Sequence, residues 1–176
     1  MTPLLSPLAA LGSAATLGIT DFNGGLAGRR TPAPSVTVGI KLCGLVMLPL
    51  AIWLLPLGWD VRAAFLAFMG GTLGGLGLIA FYRAMAHNLI GVVAPITGVV
   101  AAGLPTIVGL FDGERLRAWQ LGGIGLGLMA IALISGARRE PWAKARAGVM
   151  LAILAGVSFG LFFVLYHAAR PRASRE

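Results

Sequence analysis

Two ionisable side chains stand inside long apolar stretches of this sequence, and chemistry would begin with them. Asp21 lies about two turns, or roughly 12 Å of helix, before the Arg29-Arg30 pair that closes its apolar run. Lys41 lies a similar distance into the next run. An ionisable group at the centre of a membrane-spanning helix costs roughly 2.5–3.5 kcal/mol on insertion scales, so its presence asks for a reason. In one reading both residues line a central cavity. Asp21 then binds a cation or a proton, and Lys41 pairs with it or meets an anionic substrate. In the plainer reading both sit near helix ends, with Lys41 snorkelling to the lipid headgroups.

A second set of residues is built around proline. The uncharged run from Leu89 to Phe111 holds Pro95 with Thr97 and Pro105 with Thr106. Its length, about 23 residues at 1.5 Å each, is enough to cross a hydrocarbon core of roughly 30 Å. Proline removes a backbone donor, and membrane helices tolerate this because neighbouring groups re-satisfy the freed carbonyls. The run therefore reads as a kinked or broken membrane helix. Irregular backbone at that depth is tolerated where it is buried or lines a watery cavity, which makes this helix a candidate pathway wall. The competing reading is a packing helix whose threonine hydroxyls bond to their own backbone. Arg83 and Glu114 flank the run on opposite sides of the bilayer and act as boundary markers.

Other chemistries find little support. Cys43 is the only cysteine, and His87 and His167 fall on different segments without a nearby acidic partner, so no metal site is expected. No paired carboxylates or nucleophile–base set appears within the apolar runs, and an enzyme is not expected. Gly-Gly-Ile-Gly-Leu-Gly at 122–127 superficially matches a dinucleotide fingerprint. It lies within an apolar span with no preceding soluble strand, so no cofactor is expected either. The net charge of +8 comes almost wholly from arginine. Those arginines sit in short loops between apolar runs, where they mark topology rather than a nucleic-acid surface.

The elements that carry these residues are membrane helices. Hydrophobic residues make up 57% of the chain and charged residues 11%, against roughly 25% charged in soluble domains. The mean hydropathy is +0.88. Six candidate spans follow, at 4–27, 34–55, 63–84, 89–111, 118–136 and 147–169, each near the roughly 20 residues a crossing needs. The fold class expected is an all-α polytopic transmembrane bundle of about six helices, with the lipid bilayer as its surroundings. The first span lacks a basic leader and a clear cleavage site, so it is read as retained. Loop arginines favour an outside N-terminus, a bias that Arg170, Arg172 and Arg175 of the tail nearly cancel.

Glycine is patterned as well as abundant. Gly70, Gly71, Gly74 and Gly75 form overlapping small-xxx-small pairs on the third span. Gly123 and Gly127 do so on the fifth, and Gly24 and Gly28 at the end of the first. Removing side chains from one helix face lets backbones approach, within one bundle or across a dimer. Tyr82, Trp53, Trp59, Trp119 and Trp142 fall mostly near span ends, as interfacial aromatic belts require.

Several motifs, in order, resemble the EamA-type family of the drug/metabolite transporter superfamily. They are Tyr82-Arg83-Ala84, Val93-Ala94-Pro95-Ile96-Thr97, Pro105, and Gly113-Glu114-Arg115-Leu116, followed by Gln120-Leu121-Gly122 through Ser135. Asp21-Phe22 with Gly24-Gly25-Leu26-Ala27 is similar to the first-helix ending of one branch. The resemblance spans residues 8–170. It implies a five-helix repeat that full-length members carry twice in inverted orientation. The chain then divides into a repeat at 4–136, a basic loop at 137–146, the first helix of a second repeat at 147–169 and a polar tail at 170–176. The family continues through four more helices where this sequence ends, which leaves a fragment, a frameshifted product or a dimerising half-transporter as readings. The function implied is a multi-pass carrier of small metabolites or lipophilic compounds across the cytoplasmic membrane, with proton exchange as one means of driving it. Its complement would be a second copy or a second repeat. A non-transporting membrane subunit and an inactive truncated product are the alternatives.

Overall fold

The computed structural model describes residues 5–54, 60–86, 90–113 and 142–169, with positions 121–123, 125–127, 129 and 133 between them. The chain is all-helical, with no strand among the described residues. Five helices are defined from end to end: α1 (Leu5–Ala27), α2 (Ala33–Leu54), α3 (Val61–Ala86), α4 (Ile90–Phe111) and α5 (Trp142–Ala168). The described positions between 121 and 133 are helical and mark a sixth helix, within the expected fifth span. The rest of that span, including Trp119, lies outside the described residues, as do Trp59, His87, Glu114 and the tail arginines. The side chain of Trp142 also lies outside them.

Among the described residues, four helical stretches are long and apolar enough to cross a membrane: Ala33–Leu50, Val61–Ala86, Gly91–Phe111 and Arg146–Ala168. Composition explains why α1 is not among them. Its 23 residues have the length, but Ser13, Thr16, Thr20, Asp21 and Asn23 dilute its apolar character.

Local chemistry sets the helix ends. After α1, the Arg29 and Arg30 amides donate to the Leu26 and Ala27 carbonyls at 3.2 and 3.0 Å, tightening the chain into a turn. Pro34 sits in the first turn of α2, where its missing N–H has no helical acceptor to lose. Asp60 caps α3: its Oδ1 accepts the Arg62 amide at 2.9 Å and its carbonyl accepts the Ala64 amide at 2.9 Å. Gly113, with φ of 87°, follows α4 in the left-handed conformation that glycine adopts without penalty. α5 begins at Trp142, inside the stretch read from its charges as a basic loop. Charged side chains in a first turn extend a helix beyond the hydrocarbon without breaking it.

Packing centres on α5, which lies against both α3 and α4, while α1 and α2 lean on α3 more lightly. α5 runs antiparallel to α3, pairing Gly70 with Leu165 and Gly77 with Ser158. It runs parallel to α4, pairing Thr97 with Ala152 and Leu104 with Gly160. Tyr82, Met85, Val93, Ala152 and Ala155 form the core, and the Phe81 and Phe159 rings meet edge-on at 6.2 Å. α5 is apolar on every side, so its buried face is set by size rather than polarity. Gly148, Ala152, Ala155, Gly156 and Gly160 make up that face, spaced for one side of a helix.

Candidate functional site: the α4–α5 seam and the α1–α3 junction

The seam between α4 and α5 is closed by shape over most of its length. A Cβ on Gly156 would lie 2.6 Å from Val100 Cβ and 2.9 Å from the Thr97 carbonyl oxygen. One on Gly160 would lie 2.7 Å from Leu104 Cβ. Such contacts are far inside the 3.5–4.0 Å optimum for carbon atoms, so only glycine lets the backbones come this close. Thr97 joins the two helices directly, its buried hydroxyl donating to the Ala152 carbonyl at 3.0 Å. Thr106 does the opposite, donating within α4 to the Ala102 carbonyl at 2.8 Å. The two threonines beside the prolines thus have different roles: Thr97 ties helices together, and Thr106 satisfies its own.

α4 is continuous through Pro95 and Pro105, without the break that two prolines suggested. Each costs one helical hydrogen bond, leaving the Gly91 and Ala101 carbonyls without their usual donors.

Past Leu104 the helices separate, and a cleft of about 630 Å³ opens between them. Pro105, Val108 and Asp112 line it from the α4 side, and Phe162, Tyr166 and His167 from α5. The Tyr166 ring stacks on Phe162 at 6.2 Å with 28° between planes. The walls are largely apolar and aromatic, with Asp112 and His167 supplying polar groups. A cleft of this size and lining suits a small lipophilic compound with one hydrogen-bonding or charged group.

The junction between α1 and α3 is built on the other glycine set. Gly24 lets the Tyr82 ring come close against the α1 backbone: an added Cβ would sit 2.5 Å from Tyr82 Cζ and 2.6 Å from Oη. Gly25 receives Met85, and Gly28 approaches the Tyr82 carbonyl. Tyr82 is 0% exposed, and its hydroxyl has no hydrogen-bond partner among the described residues. Its place near the end of a span suggested an interfacial belt; the structure puts it in the core instead. Trp53, on α2, is 82% exposed.

Asp21 is half-buried on α1, one turn before Gly24. Lys41 is exposed on α2, its Cε near Gly75 of α3. No ion pair joins Asp21 and Lys41 among the described residues. Of the third-span glycines, Gly70 and Gly74 receive the Phe162 ring, while no atom lies within 4 Å of a Cβ on Gly71. Among the described residues, no atom lies within 4 Å of a Cβ on Gly123 or Gly127 either. Arg83 is exposed beside the junction.

Three features escaped the sequence reading: the Gly156/Gly160 face, Gly77 against Phe159, and the burial of Tyr82. The small-xxx-small spacing of Gly156 and Gly160 was the available signal for the first. Comparison with protein-family models, with curated proteins and with solved structures gave no match.

Proposed function

We propose that this chain is a membrane carrier of the EamA type, moving small metabolites or lipophilic compounds across the cytoplasmic membrane by alternating access. In this reading 4–136 is a five-helix repeat, α5 is the first helix of a second, inverted repeat, and a second copy or further helices complete the pathway. The observation that carries the proposal is the cleft beside Pro105, between a proline-bearing membrane helix and the glycine face of α5. A proline helix has a built-in weak point in its hydrogen-bond ladder, and α4 meets α5 through a seam of backbone contacts that can part as a unit. The parallel run of α4 and α5 supports the span count. A chain leaving α4 at one end must travel back about 33 Å, the length of a 22-residue helix, before entering α5.

Reconstitution tests the reading. The purified chain would be placed in liposomes, its assembled mass measured, and flux followed for a panel of small lipophilic and amphipathic compounds. The expected result is an assembly larger than a single chain, with saturable flux of at least one compound. A single-chain assembly without flux would contradict the proposal.

A further inference from the structure

The helical threonines Thr16, Thr20, Thr37, Thr72, Thr97 and Thr106 all donate to a carbonyl. Tyr82 is more deeply buried than most of them, yet its hydroxyl donates to no acceptor among the described residues. Leaving a buried polar group unpaired costs about 1–3 kcal/mol, so the seated position of α1 over Tyr82 carries an internal penalty. The acidic side chain near it is Asp21, one turn before Gly24. Asp21, Gly24 and Gly28 follow the spacing of a single helix face, and that face meets Tyr82.

These two groups are complementary. An ionised carboxylate only accepts hydrogen bonds, while the phenol is a donor without an acceptor. They are not joined in the seated structure, where the Gly24 backbone packs closely against the phenol ring and Oη. A neutral, protonated Asp21 can stay on the apolar α1 face. An ionised one is costly there unless it is paired or hydrated.

We propose that Asp21 and the Tyr82 hydroxyl form one proton-binding site that governs the seating of α1 on α3. With the proton on Asp21, α1 rests on Tyr82 and Met85 as observed. When Asp21 gives its proton to water, the carboxylate accepts the Tyr82 O–H bond, and α1 shifts at Gly24, off the face of the Tyr82 ring, to let them meet. The other charged groups nearby are all exposed: Arg83 beside Tyr82, Arg29 and Arg30 beyond α1, and Lys41 against Gly75, two turns before Tyr82. None replaces Tyr82 as the donor within the junction. The site's role in driving transport rests on the carrier reading, but its existence does not.

Thiol accessibility tests it. Met85 is 1% exposed beneath Gly25, so Met85→Cys in a Cys43→Ser background reports when the junction opens. Labelling by a water-soluble maleimide would be compared between about pH 5 and about pH 8.5 in liposomes, referenced to Thr31→Cys in the exposed turn to remove the thiol's own titration. The expected result is labelling about threefold or more faster at the higher pH, a dependence lost in both Asp21→Asn and Tyr82→Phe. Should Asp21→Asn fail to fold, Tyr82→Phe decides alone. A flat wild-type profile, or a dependence that survives either substitution, overturns the site. The assay needs no substrate: absent flux with the pH dependence intact sinks the carrier alone, and a flat profile sinks this site whatever the flux.

Discussion

Gly156→Ala is the most severe small change the α4–α5 seam can be given. The new methyl group would meet Val100 Cβ at 2.6 Å and the Thr97 carbonyl oxygen at 2.9 Å. Relief to a normal contact of about 3.5 Å requires α5 and α4 to part by several tenths of an ångström to nearly 1 Å. The same movement stretches the Thr97 hydroxyl–Ala152 carbonyl bond, now 3.0 Å, past the range in which it holds. Overpacking of this kind costs about 1–3 kcal/mol, and the lost hydrogen bond adds about 0.5–1.5 kcal/mol. A destabilisation of about 2–4 kcal/mol is therefore expected, reduced slightly by the better helix propensity of alanine. Reversible unfolding in mixed micelles would measure it, with Gly103→Ala as control: that residue lies on α4, and no atom lies within 4 Å of its added methyl. Equal stability of the two variants would refute a seam closed by backbone approach.

Thr97→Val, which keeps the shape and deletes the interhelical donor, should lower stability by about 0.5–1.5 kcal/mol, whereas Thr106→Val should cost less because its hydroxyl bonds only within α4. Unfolding in the same micelles compares them. Tyr82→Phe removes a buried hydroxyl with no partner and should raise stability by about 1 kcal/mol or more in an acidic buffer, where Asp21 is neutral; a loss of stability would mean the hydroxyl is satisfied. Asp60→Ala deletes the carboxylate that caps α3 and should cost about 0.5–2 kcal/mol, visible as faster amide exchange in the first turn of that helix.

The helices were legible in the sequence because uncharged runs of membrane-crossing length leave few alternatives. The 89–111 run and Ile90–Phe111 differ by one residue, since Asp112-Gly113 ends the helix by both charge and turn geometry. Which way each helix faces was not legible. α3 and α5 are apolar all round, so hydropathy cannot say that Tyr82 faces inward or that Gly71 faces open space. Residue size carries that information, and it speaks only when the partner is known: Gly70 and Gly71 look alike until Phe162 stands opposite one of them. Thr97 and Thr106 pose the same problem. Each follows a proline by two residues or one, and only the Ala152 carbonyl across from Thr97 separates a tie between helices from a bond within one. The early start of α5 was hidden by Lys144 and Arg146, whose charges end the apolar run in the sequence but not the helix.

The carrier reading stands or falls on whether water enters the cleft beside Pro105. Single cysteines at Val108, which lines the cleft, and at Ile107, which is exposed but does not, would be introduced in a Cys43→Ser background. Each would be labelled in liposomes with a membrane-impermeant maleimide. Fast labelling at position 108, slowed by any compound found to be carried, with position 107 protected by lipid, is the expected result. Protection of both positions, or equal labelling of both, would contradict a watery pathway between α4 and α5.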